Sequence, residues 1–133
     1  IVGATDAHAK NYSLLHARGG SSRLAPLYDV ASFIPYEKPH QERKTRLAMK
    51  IGGEYQWWKV GPQHWERAAK EWKLDRRKVF AHILEMAAGM SGAMSATRAE
   101  LELGGLGLTE VIDRLEEGIL KNAASVSKLY AQE

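Results

Sequence analysis

The sequence predicts a mainly α-helical α+β fold, in which a small β-hairpin portion precedes a longer helical portion. Short apolar runs around a Gly-rich turn indicate the hairpin, and apolar residues at three- and four-residue spacing from Gly61 onward indicate the helices. The 133 residues suit one domain, since single domains typically run to roughly 100–150 residues. We therefore treat 1–133 as one unit, made of a hairpin-bearing part over 1–60 and a helical part over 61–133.

The hairpin is predicted from the segments 12–16 and 23–28, which flank the turn at 18–22 (Arg-Gly-Gly-Ser-Ser). Pro26 favours an edge position in the second strand, because proline has no N–H for a neighbouring strand. A short β-hairpin is therefore expected over this part of the chain.

A loop and a further strand are predicted next. Prolines and charges over 35–46 indicate an exposed loop. The run 47–51 (Leu-Ala-Met-Lys-Ile), closed by Gly52 and Gly53, indicates a short strand that ends in a turn.

The helical part begins at Pro62, which suits the first turn of a helix running to about Trp72. Asp75 is expected to cap a second, longer helix, whose apolar residues are Val79, Phe80, Ile83, Leu84, Ala87 and Met90. After a Gly-broken connector over 103–107, Thr109 is expected to cap a last helix. Its apolar face is formed by Ile112, Leu115, Ile119, Val126 and Leu129.

Composition excludes several classes of protein. The chain has no Cys, which removes disulfide frameworks and thiolate metal sites, and no apolar run approaches the roughly 20 residues that span a bilayer. The net charge of +3 makes the surface only mildly receptive to anionic partners. The chain opens without an initiator Met or a signal peptide, so we expect a fragment or processed product of a cytoplasmic protein.

The polar run from Asp6 to Asn11, with Asp29 downstream, carries the chemistry. Protein kinases use an Asp that accepts the proton of the substrate hydroxyl, an Asn five positions later that binds Mg²⁺, and a further Asp that binds the metal. Asp6, Asn11 and Asp29 match that set. Lys10 is expected to place its ammonium on the transferred phosphate, and His8 to brace the loop or contact the nucleotide.

Three other interpretations remain open at this stage. Asp6 suits the start of a turn or a helix cap. Asp6, His8 and Asp29 suit the metal site of a hydrolase, with His16 or His40 in support. A helical interaction module that binds an antitoxin or DNA would use the basic stretch formed by Lys38, Arg43, Lys44, Arg46 and Lys50.

The aromatic residues, the glycine-rich segment and the methionines are interpreted mainly as structural features. Trp57 and Trp58, with Tyr55 and Trp65 nearby, suit either a stacking platform for bases or a core anchor, and we favour packing. The segment 104–107 lacks the Lys-Ser/Thr of a P-loop and is interpreted as a connector. Met86, Met90 and Met94 lie at helical spacing, which is typical of a core or a docking face.

Three motifs in order resemble the C-terminal lobe of the HipA-like toxin kinases. They are the runs 3–11 (GATDAHAKN), 24–30 (LAPLYDV) and 47–53 (LAMKIGG). The resemblance implies a fold distantly related to protein and lipid kinases. It also implies an ATP- and Mg²⁺-dependent serine/threonine protein kinase of a bacterial toxin–antitoxin pair, with a protein substrate and a HipB-like, DNA-binding antitoxin as partner.

The resemblance also implies roles for individual residues. Asp6 would be the catalytic base, Asn11 and Asp29 the Mg²⁺ ligands, and the neighbours of the ATP phosphates would be His8, Lys10, Asn11, Tyr28 and Asp29. Val30 follows Asp29 where ordinary kinases have Phe-Gly, a departure that the HipA-like proteins share. A complete kinase needs an upstream phosphate-covering loop and a strand Lys, and five residues precede Asp6, so we expect the isolated chain to be inactive.

Overall fold

A computed structural model of the chain describes residues 1–36, 45–105, 107 and 109–131. Over these residues it is an α+β fold in which helices predominate, as the sequence predicts. Two antiparallel two-stranded sheets are followed by three helices. The elements are β1 (Leu14–His16), β2 (Ser22–Leu24), β3 (Arg46–Ile51), β4 (Glu54–Gln56), α1 (Pro62–Glu71), α2 (Arg76–Leu103) and α3 (Glu110–Tyr130).

The predicted hairpin is present, with shorter strands than the apolar runs suggested. Strands β1 and β2 pair from Leu14 opposite Leu24 to His16 opposite Ser22. Gly19 and Gly20 both have positive φ in the connecting turn, a conformation that glycine adopts without a steric penalty. Pro26 lies beyond the end of β2, so its missing N–H costs the sheet nothing.

The strand predicted at 47–51 is confirmed as β3, and its partner β4 was not predicted. At the start of β4, Oε1 of Glu54 accepts the backbone N–H groups of Tyr55 and Gln56, each at 2.8 Å. The hydrogen bond from the Gln56 N–H is the main reason why the pKa of Glu54 lies below its usual range. Most of the loop predicted at 35–46 lies outside the described residues.

The first two helices begin at the signals that the sequence predicts. Pro62 is the first residue of α1, and the N–H of Gly61 donates to Nδ1 of His64 at 3.0 Å. Asp75 caps α2 by accepting the N–H of Arg77 at 2.8 Å. A cap of this kind stabilises a helix by about 1 kcal/mol.

The third helix differs in detail from its prediction. It begins directly after Thr109, but the Thr109 side chain forms no capping hydrogen bond, so α3 depends on packing. That packing is against α2, through Phe80 and Tyr130, whose rings meet edge to face at 5.3 Å. Arg98 of α2 adds ion pairs to Asp113 and Glu116 of α3. The buried apolar side chains in the described residues are Ala68, Ala69, Phe80, Ala87, Ile119, Ala123 and Tyr130.

Helix α3 also supports the N-terminal segment. The side chain of Ile34 lies between two glycines, Gly3 in the first residues of the chain and Gly118 in α3, and a Cβ atom at either position would collide with it. Asn122 Nδ2 donates to the carbonyl of Ile1 at 3.1 Å. These contacts join the first residues to the helical part.

None of the described helices is long and apolar enough to cross a membrane. The longest, α2, is 28 residues long but mixes charged, small and apolar residues along its length. Helix α2 packs against both α1 and α3.

The contact between Gly118 and Ile34 leads to a stability prediction. Gly118→Ala should destabilise the protein by about 1–3 kcal/mol, because the new methyl group overlaps Cγ2 of the β-branched Ile34. Urea unfolding followed by circular dichroism measures the change.

Gly92→Ala is the matched control, because Gly92 also lies inside a helix and has open space where a Cβ would be. That variant should gain about 0.5–1 kcal/mol from helix propensity. Equal gains at both positions would show that the contact between α3 and Ile34 is not tight.

Candidate active site

The run from Asp6 to Asn11 forms a short loop that ends in one turn of 3₁₀ helix over Ala9–Asn11. Asn11 is only 6% exposed, and its Nδ2 donates to the backbone carbonyl of Asp6 at 3.4 Å. The loop is therefore closed on itself across five residues. This bond uses the donor end of the carboxamide, so the oxygen is the end of Asn11 that can bind a cation.

The side chain of Asp6 is directed to solvent, with 82% of it exposed. The Nε2 atom of His8 lies 3.8 Å from Oδ1 of Asp6. Nδ1 of His8 is buried and has no hydrogen-bond partner among the described residues. An accessible carboxylate beside an imidazole suits proton transfer to or from a substrate that approaches from outside.

The segment after the hairpin is fastened to this loop by Tyr28. Its hydroxyl donates to the backbone carbonyl of Lys10 at 2.9 Å, across 18 positions of sequence. Asn11 and Asp29 are the next residues after this bonded pair, so the two predicted metal ligands follow a direct link between their segments. This bond is the observation that places the two segments side by side.

Asp29 itself has φ of +56°. A left-handed conformation costs an L-residue roughly 1–2 kcal/mol, although Asp tolerates it better than most side chains. Strain of this kind persists only where the surrounding structure imposes it, and it is concentrated at functional sites. Lys73, in the turn after α1, has the same φ, so the left-handed backbone at Asp29 agrees with the sequence motif and does not mark the site on its own.

The third motif adjoins the same loop. The N–H of Ala48 in β3 donates to the carbonyl of Thr5 at 2.8 Å. The N–H of Phe33 donates to the carbonyl of Gly3 at 3.2 Å. All three sequence motifs thus have residues that contact the segment 3–11.

The oxygen donors in this region suit a hard cation. The carboxamide of Asn11 and the carboxylate of Asp29 are the ligand types that Mg²⁺ prefers. Lys10 is exposed, and its ammonium and the imidazole of His8 supply N–H donors for phosphate oxygens. The residues present therefore fit a bound Mg²⁺ with a phosphate-bearing ligand.

The hydrolase interpretation finds less support. Within the described ranges, no group of three His, Asp or Glu side chains is placed to hold a metal ion. The Nδ1 atom of His16 lies 2.7 Å from the hydroxyl of Ser22 in the hairpin, so His16 is occupied in another way. His40, the other supporting histidine, lies outside the described residues.

The basic stretch is only partly described. Lys38, Arg43 and Lys44 lie outside the described residues. Arg46 and Lys50 are exposed residues of β3, and the guanidinium of Arg46 lies 5.1 Å from the ring centre of Tyr55. That distance is typical of a cation–π contact, so Arg46 and Tyr55 support each other across the sheet.

The aromatic cluster forms packing contacts, as favoured from the sequence. Trp57 meets Phe33 edge to face at 5.0 Å, and Trp65 meets Trp72 at 6.4 Å. Trp72 nevertheless remains 48% exposed. Sequence reasoning assigned it no role beyond a helix end, although its place among Lys and Arg residues was a signal.

Sequence reasoning also missed how open the hairpin region is. The large apolar side chains here are each at least 43% exposed, and they are Tyr12, Leu14, Leu15, Leu24, Leu27, Tyr28 and Val30. A monomer rarely leaves so many large apolar side chains close together in water. This region, next to the candidate site, is a surface that the described residues leave uncovered.

Comparisons with known proteins agree with the motifs. A family model described as HipA-like C-terminal domain matches residues 1–94. A Sinorhizobium fredii protein named "Putative kinase Y4mE" is 35% identical over 71 residues, which cover 53% of this chain and 16% of that protein. The chain thus corresponds to a small part of this relative's length.

The hydrogen bond between Tyr28 and Lys10 can be tested by Tyr28→Phe. Removing the hydroxyl should lower the free energy of unfolding by about 0.5–1.5 kcal/mol, because this is the net contribution of one neutral hydrogen bond to stability. Chemical denaturation measures this loss. Tyr12→Phe is the matched control, because no hydrogen bond of the Tyr12 hydroxyl is recorded among the described residues; an equal loss in both variants would contradict the assignment.

Proposed function

The chain belongs to the family of HipA-like C-terminal domains, and from that premise we propose that it carries the catalytic base and metal ligands of an ATP- and Mg²⁺-dependent serine/threonine protein kinase. The parent protein would act in a bacterial toxin–antitoxin pair. A relative whose name describes it as a kinase supports the proposal.

One observation carries the proposal: the Tyr28 hydroxyl bonded to the Lys10 carbonyl at 2.9 Å. This bond joins the segment that contains Asp29 to the loop that contains Asp6 and Asn11. Phosphoryl transfer is accelerated mainly by positioning and by neutralising charge. A base and two oxygen ligands held on two linked segments meet that demand.

Each residue then has a distinct role. Asp6, exposed and close to His8, accepts the proton of a serine or threonine hydroxyl that arrives from solvent. Asn11 and Asp29 would hold Mg²⁺, which neutralises charge on the phosphates when it is bound. His8 orients the Asp6 carboxylate, and Lys10 attracts the phosphate groups through its exposed ammonium.

The exposed hairpin region is proposed to contact the rest of the parent kinase. A kinase needs a phosphate-covering loop and a strand Lys in addition to the groups found here. We assign the exposed apolar side chains between Tyr12 and Val30 to contact with the part of the kinase that supplies those groups. A HipB-like antitoxin is a further proposed partner of the parent protein.

The proposal is tested by kinase assays on the full-length parent with radiolabelled ATP. Asp6→Asn and Asp29→Asn should each reduce phosphorylation by a factor of about 10² or more, because the base in one case and the negative charge that holds the metal in the other is lost while side-chain shape is kept. Chelation of Mg²⁺ by EDTA should abolish the reaction.

Glu117→Gln is the matched control, since Glu117 is an exposed carboxylate of α3 outside the candidate site. It should leave the rate unchanged. Normal phosphorylation by Asp6→Asn and Asp29→Asn, in protein of unchanged circular dichroism, would overturn the proposal. Loss of activity in Glu117→Gln as well would show that the assay reports folding and not catalysis.

A further inference from the structure

The turn between α1 and α2 presents an unusual surface at some remove in sequence from the candidate active site. It consists of the last residues of α1, the connecting residues 72–75 and the first turn of α2, and we call residues 70–78 the basic turn. The N–H of Trp72 donates to the carbonyl of Ala68 at 2.9 Å, and the N–H of Leu74 to that of Ala69 at 2.8 Å. The turn is therefore held in a defined conformation by the helix before it.

Positive charge is concentrated in the basic turn. It contains five cationic residues, Lys70, Lys73, Arg76, Arg77 and Lys78, against the two carboxylates of Glu71 and Asp75. Its net charge of +3 equals that of the whole chain. The remaining residues sum to no net charge, and among the residues that the structure describes the basic turn is a strongly positive segment.

The placement of these cations works against the helix. Arg76, Arg77 and Lys78 fill the first turn of α2, and no acidic residue is present there. Helix N-termini carry partial positive charge and favour anions, so cations at these positions are destabilising. Arg76 gains contacts within the fold, but Arg77 and Lys78 break this local rule with no ion pair among the described residues, and such breaks are expected at functional positions.

Only part of this charge is used inside the fold. Arg76 pairs with Glu66 at 3.2 Å and lies over the ring of Phe80 at 4.5 Å. Arg77 and Lys78 are exposed and form no side-chain ion pair within the described part of the chain. Their charges are therefore available to a partner.

Two apolar side chains lie among these cations. Trp72 is 48% exposed and Leu74 is 53% exposed. The indole of Trp72 is steadied by its edge-to-face contact with Trp65, so little side-chain freedom would be lost on binding. Trp and Arg are the residues most often found at the energetic centre of protein interfaces.

We propose that the basic turn is a docking site for an acidic protein segment that carries an apolar side chain. Carboxylates of the segment pair with Arg77 and Lys78, and its apolar residue packs on Trp72 and Leu74. Nucleic acid would pair with the cations and stack on Trp72, but it would leave the aliphatic Leu74 without an apolar partner, whereas an apolar side chain of a protein segment covers both residues. The proposal uses no residue of the candidate active site and stands apart from the kinase assignment.

The test measures binding of fluorescein-labelled probes to the full chain by anisotropy. The probes are a 12-residue peptide of alternating Glu and Leu, a peptide in which Ala replaces each Leu, and a 12-nucleotide oligothymidine. The Glu-Leu peptide should bind at least about tenfold more tightly than either of the others, which corresponds to about 1.4 kcal/mol. Its affinity should fall as salt is raised.

Variants locate the site. Arg77→Glu and Trp72→Ala should each weaken binding of the Glu-Leu peptide by about tenfold or more. Lys121→Glu, an equal charge reversal at an exposed position of α3, should leave it unchanged, and circular dichroism confirms that each variant is folded. Absence of peptide binding, equal or tighter binding of the oligonucleotide, or unchanged affinity in Arg77→Glu would each overturn the proposal.

Discussion

The side chain of Ile34 lies between Gly3 and Gly118, and the position of the candidate catalytic loop depends on that packing. Two backbones can approach one isoleucine this closely only because neither glycine has a Cβ. Gly3 also has φ of +66°, which other residues adopt only at a cost. The loop therefore packs on α3, the helix that packs against α2.

The contacts that stabilise the fold and the residues of the candidate active site therefore lie in different regions of the protein. The helical part gains from the Phe80–Tyr130 ring contact and from the ion pairs between Arg98 and α3. The site region instead carries costs, namely the left-handed backbone at Asp29 and the buried Nδ1 of His8, which has no hydrogen-bond partner among the described residues. A marginally stable protein tolerates such costs only when packing elsewhere offsets them, and the contacts of Ile34 connect the two regions.

Features that depend on neighbours in sequence were the ones that the sequence predicted well. The Asp75 cap and Pro62 at the start of α1 need only residues within one helical turn. The spacing of Asp6 and Asn11 predicted a loop, and the loop is closed by a bond between those two residues. Each of these signals is local, so tertiary packing had little opportunity to override it.

Features that depend on distant partners were missed or altered. Strand β4 exists because β3 is beside it, and three residues carry too little pattern to indicate a strand alone. Thr109 has the right side chain for a cap but makes no capping bond. Trp72 was assigned to a helix end, yet its exposure beside Arg77 and Lys78 is a property of the folded surface.

A series of contacts joins the candidate active site to the basic turn. Thr5 forms a hydrogen bond with β3, and Gly52, which follows β3, lies against His64 of α1. Helix α1 is about 15 Å long by its ten residues, and it ends next to Trp72. Such contiguity is not coupling, because coupling requires an element with two arrangements that both sites bias. Docking at the basic turn would instead act by tethering, since a bound segment raises the effective concentration of any group that its linker brings to the proposed base, Asp6.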